Sequence, residues 1–105
     1  MSKLLYIRLT MTIPQVGTST HIAQLQEHIA GQPCSLLKII ELDPHGRVQG
    51  AANESTTRNL AAPPERTVPH PEKYKNFPDI KSNYLTEKDF FALWQEVLEK
   101  FPELG

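Results

Sequence analysis

The sequence predicts an α+β domain: a small antiparallel sheet of three to four strands, with an amphipathic C-terminal helix packed on one face. A long proline-rich connector joins the two. Three observations carry this expectation. Residues 5–13 alternate apolar and polar, residues 36–52 read as a hairpin, and residues 84–101 place their apolar side chains at helical spacing. A chain of 105 residues suits a single domain, 1–105. It divides into a mostly β part (1–62), a connector (63–83) and a helix (84–101).

In the first strand Leu5, Ile7, Leu9, Met11 and Ile13 share one side, and Tyr6, Arg8, Thr10 and Thr12 the other. That is the pattern of a strand with one face buried. Pro14 removes a ladder donor and ends it. Residues 15–20, QVGTST, read as a loop. Residues 21–30 fit two patterns. Ile22, Leu25 and Ile29 make a helical stripe that Thr20 can cap and Gly31 can stop. Ala23, Leu25 and Ile29 share a strand face that Glu27 interrupts. The local pattern leans slightly toward a short helix.

Leu36 to Leu42 is almost continuously apolar, as in a central strand covered on both faces. Asp43, Pro44 and Gly46 occupy the first, second and fourth positions of a type I turn. Residues 47–52 then return as a partner strand. Residues 53–60 read as a polar loop with a short edge strand at its end. In the last segment Phe90, Phe91, Leu93, Trp94, Val97, Leu98 and Phe101 fall on one helical face. Thr86 suits the N-cap, Leu85 and Phe90 a hydrophobic staple, and Pro102 stops the helix.

The stretch PPERTVPHPEKYKNFPDI, residues 63–80, holds five of the nine prolines and shows neither period. Loops of this length inside compact domains are often functional. Val68, Tyr74, Phe77 and Ile80 are spaced along it and can dock, while proline lowers the entropy lost on ordering. Two readings stand: a crossover that only delivers the helix, and a semi-rigid strap that displays side chains to a partner.

Net charge is −1, which argues against a general nucleic-acid binder. Cys34 is the single cysteine, so no intrachain disulfide forms and a reducing compartment is expected. Arg8 breaks the N-terminal apolar stretch, so no signal peptide is read, and no run approaches a membrane span. The expected location is cytoplasmic, with no membrane partner.

His21, His28, His45 and His70 lack zinc-ligand spacing, and Cys34 has no positioned base beside it in sequence. Glycine-rich phosphate loops are absent as well. No catalytic residue, metal ligand or cofactor site is therefore assigned, and a non-enzymatic role is expected. Lys73 and Lys75 around Tyr74 resemble a small base-stacking patch, which Glu72 and Asp79 dilute. The acidic residues of the last helix and tail (Glu87, Asp89, Glu96, Glu99 and Glu103) fit two readings, a phosphate mimic toward a basic partner site and, favoured, a solvated face.

The order of motifs is YIR, then LKIIELDPHGRVQGAA, then APPE, then YLTEKDFFALWQEV. It resembles an uncharacterised family of small bacterial proteins, a domain of unknown function. That family has a YIR-type strand, a DGR hairpin, a PP segment and a C-terminal EEFxxVW helix. Some of its members resemble immunity proteins of polymorphic toxins. The resemblance makes residues 21–30 a strand, although the family's YSELD is Gln26-Glu27-His28-Ile29-Ala30 here. It implies an immunity protein, or antitoxin, that binds a cognate bacterial toxin and occludes its active site. The expected contact residues are then His70, Lys73, Tyr74, Lys75, Phe77 and Asp79 of the connector. The alternative expectation is a small regulatory or adaptor domain that touches nucleic acid.

Overall fold

The structure, a computed structural model, describes residues 2–15, 17–60 and 63–105. Seven strands form one antiparallel sheet among them: β1 (Lys3–Ile13), β2 (Gly17–Glu27), β3 (Cys34–Leu42), β4 (Val48–Ala52), β5 (Thr57–Arg58), β6 (Thr67–Val68) and β7 (Ile80–Tyr84). The helix α1 spans Glu87–Lys100, and two 3-10 segments span Pro71–Asn76 (η1), before β7, and Pro102–Leu104 (η2), after α1. The strand order is β5-β4-β3-β2-β1-β7, with β6 paired to the start of β3. The expected sheet of three to four strands is therefore too small. No helix among the described residues is long and apolar enough to cross a membrane.

Most of the difference lies in β2. It pairs with β1 from Ile13↔Gly17 to Lys3↔Glu27, so most of the expected 15–20 loop is strand; Val16, within that loop, lies outside the described residues. The helical reading of 21–30 fails because β2 sits between β1 and β3 with a layer on each face. Ile22, Ala23, Gln24 and Leu25 are buried in succession, which erases the two-residue alternation. Gly31, at φ +77°, serves the β2–β3 turn rather than a helix end.

The hairpin forms as expected. Gly46 N–H donates to the Asp43 carbonyl (2.9 Å). Oδ1 of Asp43 accepts from the N–H groups of His45 (2.8 Å) and Arg47 (3.0 Å). The Arg47 amide, and after it that of His45, holds the Asp43 carboxyl below its usual range.

Packing divides the side chains between two layers. On one face Tyr6, Ile22, Ile40, Leu42 and Ala51 meet Phe90, Trp94, Val97 and Leu104 from the C-terminal segment. The rings of Phe90 and Trp94 stack at 6.1 Å, and Tyr6 lies 5.2 Å from Phe90. Burying each such side chain contributes about 1.5–3 kcal/mol. Thr86 caps α1 by accepting the Asp89 N–H (3.0 Å), as expected. Tyr6, expected on a solvated face, is thus core, and β1 is covered on both sides at this point.

On the opposite face Leu5, Ile7, Ala23, Leu25 and Cys34 form a second cluster, with Val68 and Tyr74 of the connector packed against it. The connector is thus a third layer. Residues 63–80 were expected to lack regular structure, yet β6 pairs Cys34↔Val68 and Ser35↔Thr67, and η1 follows. The Arg66 carbonyl accepts from Leu36 N–H at 2.8 Å. Short polar strands such as β5, β6 and β7 carry little period of their own and form because the sheet supplies partners. The resemblance's APPE segment starts at Ala62, which lies outside the described residues.

Candidate functional site

The connector is fastened by a pair of side chains that no local motif joins. His70, buried, caps η1: its Nδ1 accepts the Glu72 N–H at 3.1 Å. An acceptor at Nδ1 puts the ring proton on Nε2, which donates to Glu27 Oε2 at 2.5 Å. Glu27 stands at the end of β2, and the same oxygen also accepts the Gly31 N–H (3.3 Å). The Gly31 amide first, and then His70, hold the Glu27 carboxyl below its usual range. Pro71 at the start of η1 sets φ for that turn and is itself buried.

From η1 a second set of contacts runs to β7. Glu72 accepts the Tyr84 hydroxyl at 2.7 Å and pairs with Lys75 at 2.7 Å. Lys75, and then Tyr84, lower the Glu72 carboxyl. The Tyr84 hydroxyl is pushed up to about 12, by burial first and then by the Glu72 carboxylate. Tyr84 nonetheless exposes 53% of its surface and Phe77 exposes 51%. Both stand on braced backbone: Tyr84 pairs with Ile7 of β1, and the Phe77 N–H bonds the carbonyl of Tyr74 (3.1 Å), whose ring lies 6.3 Å from that of Phe77. A cleft of about 430 Å³ opens beside this rim, lined by Lys3, Leu4, Leu5, Tyr6, Glu27, His70, Tyr84 and Leu85.

The six residues expected to contact a partner therefore divide. Lys73, Lys75, Phe77 and Asp79 are exposed. Tyr74 is half-buried against the second core cluster, and His70 faces inward to Glu27. With the Tyr74 ring turned to the sheet and Lys75 paired to Glu72, the base-stacking patch loses its ring and one free cation. Sequence reasoning missed Glu27, Glu72 and Tyr84. Glu27 is 43 residues from His70, so no spacing signals it, and Tyr84 reads as the start of the helical segment.

The histidines do not converge. His28 meets Ser35 at 3.0 Å on the surface, and His21 meets Glu41 at 3.5 Å. Among the described residues no three of His, Cys, Asp and Glu come together as a metal site. Cys34 is fully buried; burial, and then the Glu27 charge, raise its thiol pKa and disfavour the thiolate. Both ring nitrogens of His70 are taken up inside the protein, so it offers no free base to the cleft. No protein-family model, curated protein or solved structure matches this chain.

Proposed function

We propose that the chain is a non-enzymatic binding protein, an immunity protein that neutralises a bacterial toxin by seating on it and covering its active cleft. The observation that carries this reading is the pair of large exposed aromatics, Phe77 and Tyr84, held on a braced rim. Aromatic anchors within a polar surround are the recurring centre of tight protein interfaces, and little ordering entropy is left to lose when they are already fixed. Lys73, Lys75, Glu72 and Asp79 supply charges of both signs around them. The order of motifs, YIR to DPHGR to APPE to EKDFFALW, resembles the uncharacterised bacterial family, and that resemblance implies a toxin as the class of partner.

The experiment is co-expression with the product of the adjacent gene, assayed first for toxicity on its own. Protection of cells is expected from the native chain and from Tyr74→Phe, and loss of protection from Phe77→Ala at unchanged thermal stability. Protection by Phe77→Ala equal to that of the native chain contradicts the rim as the contact surface. No protection by the native chain contradicts the toxin reading.

A further inference from the structure

β1 is paired unequally along its two edges. β2 follows all of it, from Lys3↔Glu27 to Ile13↔Gly17. β7 follows its other edge only from Ile7↔Tyr84 to Met11↔Ile80. The bonds from Leu85 N–H to the Tyr6 carbonyl (2.8 Å) and from Thr12 N–H to the Asp79 carbonyl (3.2 Å) fix the parity. Even-numbered residues of β1 aim their backbone groups at the β7 side. The N–H and carbonyl of Leu4, and the N–H of Tyr6, therefore point past the end of β7. They meet no strand among the described residues.

β7 cannot extend to cover them, because the chain turns at Leu85 to reach the N-cap Thr86. The 430 Å³ cleft lies in this gap. Its walls include Lys3, Leu5 and Glu27 from the connector side of the sheet and Leu4, Tyr6 and Leu85 from the helix side. A cleft touched from both faces runs along the strand edge. Leu4 leaves 45% of its surface in solvent there.

We propose that the open edge of β1 at Leu4–Tyr6 accepts an extended segment of the protein partner as an added strand, with an apolar side chain laid over Leu4 and Leu85. This deepens the reading of the chain as a binding protein and rests on it. An extended backbone offers the matching alternation of donors and acceptors. Its next side chain turns to the other face, toward Lys3 and the Tyr84 hydroxyl. The open edge is only about 10 Å long. A stable dimer needs about 1,200 Å² or more of buried surface, so the occupant is a flexible segment rather than a second copy. Lys3 at the mouth discourages indiscriminate pairing.

The test is amide exchange by NMR on the full chain, with a capped pentapeptide of alternating valine and threonine as probe. Saturating peptide is expected to slow exchange at Leu4 and Tyr6 by about tenfold. Leu5 and Ile7, already turned to β2, stay unchanged. The same peptide methylated at alternate backbone nitrogens is expected to have no effect. Unchanged Leu4 and Tyr6 amides at millimolar peptide overturn the proposal, as does an equal effect of the methylated peptide. Protection of these amides that grows with protein concentration alone, with a dimer in sedimentation, overturns it in favour of a second copy. Toxin protection that depends on Phe77 while these amides stay unprotected in the complex removes the added strand alone. Peptide docking without any toxin protection removes the immunity reading alone.

Discussion

Nε2 of His70 lies 2.5 Å from Oε2 of Glu27, across 43 residues of sequence. One side chain caps η1 and the other ends β2, so the contact ties the connector to the sheet. Replacing His70 by Ala removes the cap and the latch together. The expected outcome is faster amide exchange through residues 66–80 and unchanged exchange in α1. Uniform acceleration across the chain is the contrary result, because the latch would then be part of the global fold rather than a local fastening.

The latch also sets an acid limit. The Glu27 carboxyl titrates below its ordinary value of 4.5 in the folded chain, through Gly31 and His70. The unfolded chain therefore takes up its proton first as pH falls. The contribution is complete above 4.5 and is lost as pH drops through the lowered folded value. Glu72 adds the same sign through Lys75 and Tyr84. Acid titration followed by exchange is expected to loosen the connector in this window, and Glu27→Gln to flatten that dependence. At the alkaline end the sign reverses: Tyr84 favours the fold below its ordinary 10.0, and that contribution disappears as pH rises through about 12.

Cys34 is fully buried, and its thiol is held above the usual range. A soluble disulfide reagent is expected to leave it unmodified in the native chain and to label it promptly in denaturant. Prompt labelling of the native chain would mean that β6 and the connector do not cover this end of β3.

Tyr74 and Phe77 are three residues apart and are expected to behave differently. Tyr74→Ala removes a half-buried ring from the second core cluster and is expected to cost about 1–2 kcal/mol in a urea melt. Phe77→Ala touches a side chain mostly in solvent and is expected to stay within about 0.5 kcal/mol. Equal losses would place both rings in the core and leave the rim without its anchor.

Gly50 on β4 carries a packing requirement. A Cβ at that position would overlap the Asn59 backbone carbonyl oxygen. Gly50→Ala is expected to force Asn59 and β5 away from β4, destabilising the fold by about 1–3 kcal/mol. A neutral effect on the thermal midpoint would show that the β4–β5 end relaxes freely.

The elements legible in the sequence are those whose signal is local. Thr86, Pro102 and the Phe90–Trp94–Val97 stripe announce α1, and Asp43 to Gly46 announce the hairpin. β2 was not legible because Ile22 to Leu25 are buried in succession between two layers, and a strand covered on both faces has no alternation to read. β7, with the sequence IKSNY, is a short polar edge that exists because β1 offers it a partner. Within the candidate site Phe77 was legible as an aromatic among charges. The inward turn of His70 was not, because its partner Glu27 lies at the end of a different strand.

The central claim is that the connector is a fixed layer on the sheet, presenting Phe77 and Tyr84 from a braced surface. A nuclear Overhauser spectrum of the free chain tests it most directly. Cross-peaks from the Tyr74 ring to methyl groups of the Leu5, Ile7 and Leu25 cluster are predicted, with the Phe77 ring reaching only Tyr74 among the aromatics. A Tyr74 ring with averaged shifts and no cross-peaks to that cluster would contradict the account.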